Sequence, residues 1–352
     1  MMGKAFTFLV IMVALVALTP GKQVNAQNVN VYQPVETTLY SGSLPTQYSA
    51  LPTLFNPAAT GNSDFIRIRG GARLDYLGSH ESPKNFFATG DSPFKIGKER
   101  IGAGVVISSM NYGLYRNLNL RAQGSYKFKI KNSYISAGIG IGYFHANFKG
   151  SEYKITLPGH QPEEGEDEIP DEDDMPEYPT QDVGGGAIDL SAGIRFDHPL
   201  FYAAVSMLHI TSPKIKLTKD KESSGASPYI EGKLPARLYF EGGGNIGINN
   251  SLFTLQPSVL IDTDFKGLDG VVVMQATYNR RFSFGLDYRY NRAVGVLAGI
   301  TIKDFYVGYN WEYDYKNKPR GSTGNHEIVL GYQFKMDMGG KNKFSHRSIR
   351  IM

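Results

Sequence analysis

Residues Asn117–Ile130 read NLNLRAQGSYKFKI. Asn117, Asn119, Arg121, Gln123, Ser125, Lys127 and Lys129 alternate with Leu118, Leu120, Ala122, Gly124, Tyr126, Phe128 and Ile130. Successive side chains of a strand point to opposite faces, so this segment carries one wet face and one greasy face. A helix, at 3.6 residues per turn, mixes the two sets.

The same period recurs along most of the chain. Phe282, Phe284, Leu286, Tyr288 and Tyr290 oppose Ser283, Gly285, Asp287 and Arg289. Phe305, Val307, Tyr309, Trp311, Tyr313 and Tyr315 oppose Tyr306, Gly308, Asn310, Glu312 and Asp314. A soluble sandwich also alternates, with its apolar face inward. Two features speak for a membrane instead. The alternating runs exceed the usual strand of about 5–6 residues and suit a tilted bilayer crossing of about 9–11. Aromatics also crowd the run ends, where interfacial girdles sit in outer-membrane barrels. The apolar face is therefore expected to meet lipid and the polar face to line a lumen.

The 352 residues include 40 Gly, 22 Tyr, 20 Phe and no Cys, which excludes a disulfide framework and thiolate metal sites. The mature chain has no apolar run long enough for a spanning helix. High Gly with high Tyr and Phe favours strands. Ten acidic residues crowd into Glu163–Glu177; without them 37 basic residues face 23 acidic ones. Those cations are scattered singly and form no basic stripe, so nucleic acid is not an expected partner.

Fourteen segments carry the pattern, at 64–76, 84–92, 99–110, 117–130, 132–148, 183–197, 199–210, 234–248, 251–262, 269–279, 281–290, 293–302, 304–315 and 325–336. The expected fold is all-β, a transmembrane antiparallel β-barrel of about fourteen strands, an even number as bacterial barrels require. If the first strand runs outward, the short connections fall on the periplasmic side. The long ones, 149–182 and 211–233 among them, fall outside. The domain plan is then a barrel over 64–336 with an acidic extracellular loop at 149–182.

Lys4, the apolar run Ala5–Leu18 and Val24-Asn25-Ala26 read as a secretory signal peptide over 1–26. The apolar core is short for a membrane anchor. Residues 27–63, with Pro34, Pro45, Pro52 and Pro57, read as an N-terminal arm that starts in the periplasm and either plugs the lumen or meets a periplasmic partner. Residues 337–352 form a basic periplasmic tail, so both termini are expected in the periplasm and the protein in the outer membrane.

Chemistry is sparse. Gly242–Gly247 fits GxGxxG, but no helix follows, so these read as strand glycines. The acidic run lacks calcium-loop spacing. None of the seven histidines pairs as HxxxH or HExxH. No catalytic, cofactor-binding or metal residue is expected. A diffusion or uptake channel for small solutes remains an alternative, since fold does not fix function.

Gln47-Tyr48 followed by Leu54-Phe55-Asn56-Pro57-Ala58-Ala59-Thr60-Gly61 resembles the opening of the PorP/SprF family, outer-membrane barrels of the type IX secretion and gliding apparatus of Bacteroidota. Arg73 with Tyr76, Gly78 and Pro83-Lys84 resembles its next stretch, and Ile101–Val105 with Asn111-Tyr112-Gly113 its second hairpin. Gly324-Asn325-His326-Glu327 through Phe334 resembles its closing strand. Tyr76 stands where the family often has Trp, and the acidic insertion is not a general family feature. The resemblance implies a non-enzymatic component that helps secrete or surface-anchor a cargo bearing a C-terminal secretion domain. Its implied partners are other secretion subunits, the periplasmic ring and peptidoglycan-linking proteins, together with outer-membrane lipid. Within these motifs Phe55, Asn56, Pro57, Ala58, Gly61, Arg73, Gly78, His326 and Glu327 are the candidate partner contacts.

Overall fold

The structure, a computed structural model, describes residues 35–335 except 41, 80–81, 97–98, 154–177, 220–227, 249–250 and 317. The signal peptide, the tail and most of the acidic insertion lie outside the described residues.

The strands in chain order are β1 (Val35–Thr38), β2 (Phe65–Leu74), β3 (Lys84–Ile96), β4 (Glu99–Tyr112), β5 (Tyr115–Ile130), β6 (Ser133–Phe148), β7 (Val183–Asp197), β8 (Phe201–Leu208) and β9 (Lys214–Leu217). They continue as β10 (Ile230–Lys233), β11 (Arg237–Gly244), β12 (Ile246–Gly247), β13 (Phe253–Thr263), β14 (Leu268–Tyr278), β15 (Phe282–Arg289), β16 (Ala293–Ile302), β17 (Phe305–Asp314) and β18 (Asn325–Lys335). Between β1 and β2 lie a 3-10 turn at Tyr48–Ala50, one helical turn α1 (Pro52–Phe55) and a second 3-10 turn at Pro57–Ala59.

Among the described residues β2–β8 and β11–β18 close one antiparallel barrel of fourteen staves, β12 continuing the stave of β11. It shuts where β18 pairs with β2, His326 opposite Leu74 through Lys335 opposite Phe65. Closure satisfies the backbone within lipid, which an open sheet cannot do. The expected strands all appear, with ends shifted by a few residues. The run 234–248 is interrupted: Asn245 turns its N–H to the Leu200 carbonyl and separates β11 from β12. The Gly242–Gly247 motif thus marks a strand bend, not a phosphate cradle.

The faces sort as the alternation requires. Leu286 and Phe284 are 65% and 57% exposed on the outer wall, while Ser283 between β14 and β16 is 6% exposed. Asn117, Asn119, Arg121 and Gln123 are buried inside; Leu118 and Leu120 are exposed outside. The protein is therefore inverted relative to a soluble domain: its interior is polar and its surface apolar.

What fills that interior is the arm. β1 pairs in parallel with β10, and β10 antiparallel with β9, in a three-stranded sheet outside the barrel. Thr218, just past β9, exchanges backbone hydrogen bonds with Gly184 at the start of β7. This sheet packs Val35, Leu39, Ile215 and Leu217 on Phe144 and Phe148, where β6 rises towards that rim. From there the chain descends through the lumen and emerges at the opposite rim to begin β2. Within the connection 211–233, β9 and β10 form strands because the arm supplies a third.

The sequence reading has the arm starting in the periplasm, 211–233 outside and both termini together. In the structure Val35–Thr38, Lys214–Leu217 and Ile230–Lys233 stand at the same rim, and Val35 and Lys335 stand at opposite rims. The cause is the threading itself, since a segment that crosses the lumen once must enter and leave by different ends.

Candidate functional site

The lumen grips the arm chiefly by its backbone. Near the rim that carries the three-stranded sheet, the Glu327 carboxylate accepts the backbone N–H groups of Thr46 and Gln47, each at 2.8 Å. The Thr46 hydroxyl donates to Glu312. Arg73 bridges this cluster, reaching Glu327 at 3.2 Å, Asp75 at 2.9 Å and Glu312 through a second arm of its guanidinium. Arg289 donates to the Leu44 carbonyl at 2.8 Å and to Glu312 at 3.2 Å. Around the arm each of these three carboxylates thus faces at least one of the two guanidiniums, as burial of charge demands.

Midway down, cations hold the carbonyl ends of the two short helical turns. Arg69 donates to the Ala50 carbonyl at 2.5 Å, and Arg121 to the Leu54 carbonyl at 2.6 Å. A helix end presents unpaired carbonyls with partial negative charge, so cations suit it. Ser206 donates to the Phe55 carbonyl at 2.7 Å, and the Phe55 ring packs on Tyr239 at 5.5 Å between centroids. Tyr48 reaches Ser258 at 2.7 Å.

At the far rim Asn56 caps the Pro57–Ala59 turn, its Oδ1 accepting the Ala58 N–H at 2.8 Å. Its Nδ2 spans to the carbonyls of Ile194 and Val205 at 3.3 and 3.4 Å. Gly61, at φ +60°, donates its N–H to Asp91 at 2.8 Å, and Asp91 also pairs with Arg67. Arg100 and Lys127 close this end on Ser63 and Asn62.

Three wall glycines admit the Asn56–Thr60 stretch. A Cβ on Gly138 meets the Ala58 nitrogen at 2.4 Å, one on Gly193 meets Asn56 Oδ1 at 2.1 Å, and one on Gly102 meets the Thr60 carbonyl at 2.1 Å. At these three positions the plug fits because the wall lacks side chains.

The expected motif residues therefore divide. Phe55, Asn56, Pro57, Ala58 and Gly61 are arm residues seated in the lumen, and Arg73 and Glu327 are their clamp near the other rim. Gly78 (φ +91°) lies in a rim turn against the Gly321 carbonyl. There the Tyr76 hydroxyl donates to Asp314 at 3.1 Å and accepts from Arg292 at 2.9 Å; burial pushes its phenol pKa up. His326 follows the alternation outward and pairs with Tyr309 at 2.7 Å and Thr323 at 3.1 Å, away from the lumen. Glu312, Arg289, Arg121 and Thr46 belong to the site but stood out in no motif. For the first three the signal was a charge on the polar side of a strand; Thr46 gave none.

A cavity of about 40 Å³ lies between Gly42–Pro45, Leu54, Phe55 and the wall residues Asn85, Asn119 and Arg121. That volume holds a few waters. Among the described residues no three His, Cys, Asp or Glu converge as a metal site.

Comparison with known proteins matches these motifs to a family. No curated protein sequence matches the chain. Solved structures that resemble it include the toluene transporter TodX of Pseudomonas putida, at 10% identity over 87% of this chain and 96% of that one, TM-score 0.44. A FadL homologue of Pseudomonas aeruginosa has 12% identity over 87% and 100%, TM-score 0.46. Omp33 of Acinetobacter baumannii has 10% identity over 77% and 99%, TM-score 0.38. Similarity of this degree assigns no activity. The profile of type IX secretion system membrane protein PorP/SprF matches residues 42–332, from the turn above the clamp to the closing strand, and the chain belongs to that family.

Proposed function

We propose that this outer-membrane component of the type IX secretion system is a closed, non-enzymatic scaffold that helps export or surface-anchor a cargo bearing a C-terminal secretion domain. The observation that carries the reading is the filled lumen: residues 46–63 cross it, held by hydrogen bonds from wall side chains of the kind described above. A barrel stoppered in this way offers surfaces, not a conduit. The rim with short turns faces the periplasmic ring and peptidoglycan-linking proteins, and the rim with the three-stranded sheet meets cargo outside. Short turns on the periplasmic side are the rule for such barrels.

Deleting the gene tests the reading directly: export or surface retention of C-terminal-domain cargo is lost, and normal export in the deletion strain ends the proposal. In planar bilayers the intact purified protein stays silent. A steady, sizeable conductance instead favours a channel for small solutes.

A further inference from the structure

The short-turn rim carries exposed cations along one side only. Where β2 begins and β18 ends, the rim carries Lys95, Lys131, Arg280, Arg281, Lys303 and Lys335, all exposed. The ion pairs among the described residues use other cations. Glu99 and Asp304 are the exposed acids beside them, and Glu99 already accepts a bond from Tyr126. In barrel order these cations occupy one continuous arc, from the β14–β15 turn through β18 and β2 to the β5–β6 turn. The rest of that rim, with His198, Leu200 and Leu252, has no Lys or Arg in its turns.

Depth matters as much as sign. Phe94, Phe128, Tyr278, Phe282, Phe305 and Tyr332 are exposed on the outer wall immediately inside the arc. Aromatic girdles lie at the level of the lipid headgroups. The cations just beyond them therefore stand at the depth of the headgroup phosphates, within a Debye length of about 8–10 Å.

We propose that this arc is a binding surface for anionic phospholipid headgroups, which it selects over zwitterionic ones in the leaflet that touches the short-turn rim. A zwitterionic headgroup offers no net charge to a row in which cations outnumber acids, whereas an anionic one does. The inference needs only a barrel in a bilayer and is independent of the secretion role.

The test uses the full-length protein purified in detergent, offered equal amounts of phosphatidylglycerol and phosphatidylcholine, with retained lipids counted by native mass spectrometry. The wild type retains phosphatidylglycerol preferentially, and high salt weakens the preference. The variant Lys131→Gln/Arg280→Gln/Arg281→Gln/Lys303→Gln loses that preference by roughly tenfold or more, following the attraction of each cation to an anionic surface. The variant Lys316→Gln/Lys318→Gln/Arg320→Gln, at the other rim, keeps it. Heat-modifiable gel migration shows whether each variant is folded. If the fourfold variant is not, the pairs Lys131→Gln/Lys303→Gln and Arg280→Gln/Arg281→Gln each lose part of the preference. Equal retention of the two lipids by the wild type overturns the proposal, as does an equal loss from the variants of both rims.

Discussion

Arg73 and Glu327 sit directly opposite each other where the first and last barrel strands meet, with Nη1 3.2 Å from Oε2. The pair therefore bridges the seam and holds the arm, because the same Glu327 carboxylate accepts the N–H groups of Thr46 and Gln47.

Removing one member of such a pair leaves the other charged and buried. Glu327→Ala is expected to destabilise the protein by about 3–5 kcal/mol. The neighbouring substitution His326→Ala, on the outer wall, should cost less than about 1 kcal/mol. Urea unfolding in lipid vesicles measures both, and cleavage of the arm by added protease reports its release. Equal damage from the two variants contradicts the clamp.

The wall glycines make a steric prediction. Gly102→Ala places a methyl 2.1 Å from the Thr60 carbonyl. Overpacking of this kind costs about 1–3 kcal/mol and should push the Asn56–Gly61 stretch out of its seat. Gly124→Ala, whose Cβ finds its nearest neighbour at 3.6 Å, serves as the control. Hydrogen exchange at Ala58 and Gly61 should rise in the first variant alone.

Leu286→Arg puts a charge on the lipid face of β15. Near the bilayer midplane that costs about 2–4 kcal/mol. Ser283→Ala, on the lumen side of the same strand, should fall below about 1 kcal/mol. Folding yield into vesicles and unfolding midpoints compare the two, and the reverse ranking would sink the assignment of faces.

The turn 264–267 responds to pH. The Gly267 backbone N–H, with that of Lys266, holds the Asp264 carboxyl below its ordinary pKa. Folded Asp264 thus binds its proton less readily than unfolded Asp264. The cap is fully present above the unfolded carboxylate pKa and is lost as pH falls through the lowered folded value. Because Asp264 lies near the surface, the effect stays below about 1 kcal/mol. Acidification should speed amide exchange at Lys266 and Gly267, and Asp264→Asn should flatten that response.

Removing residues 42–62 should convert a silent barrel into a conducting one, provided the staves still close. By strand number this barrel falls between filled eight-stranded barrels and aqueous porins. A closed but silent truncated barrel would mean that wall side chains, not the arm, block the lumen.

Much of this architecture was legible in short stretches of sequence. The alternation in Asn117–Ile130 fixes which side chains share a face, because period two is a local property of extended backbone. Repeated fourteen times, it gave the staves, their faces and the antiparallel order. The clamp was only half legible. Arg73 and Glu327 emerged through motif resemblance, and Arg289 and Glu312 as polar residues on strands, but nothing local joins them. Thr46 and Glu327 are 281 residues apart in the chain.

The sequence by itself thus determined a barrel with a greasy exterior and a charged interior, since each residue's face follows from its immediate neighbours. Only the tertiary structure decided that the arm threads the lumen, that β1 joins β9 and β10 at one rim, and that Thr46 and Gln47 meet Glu327. Those facts depend on which distant groups can neutralise each other's charges and satisfy each other's hydrogen bonds in a closed space, and that space exists only once the first and last strands have met.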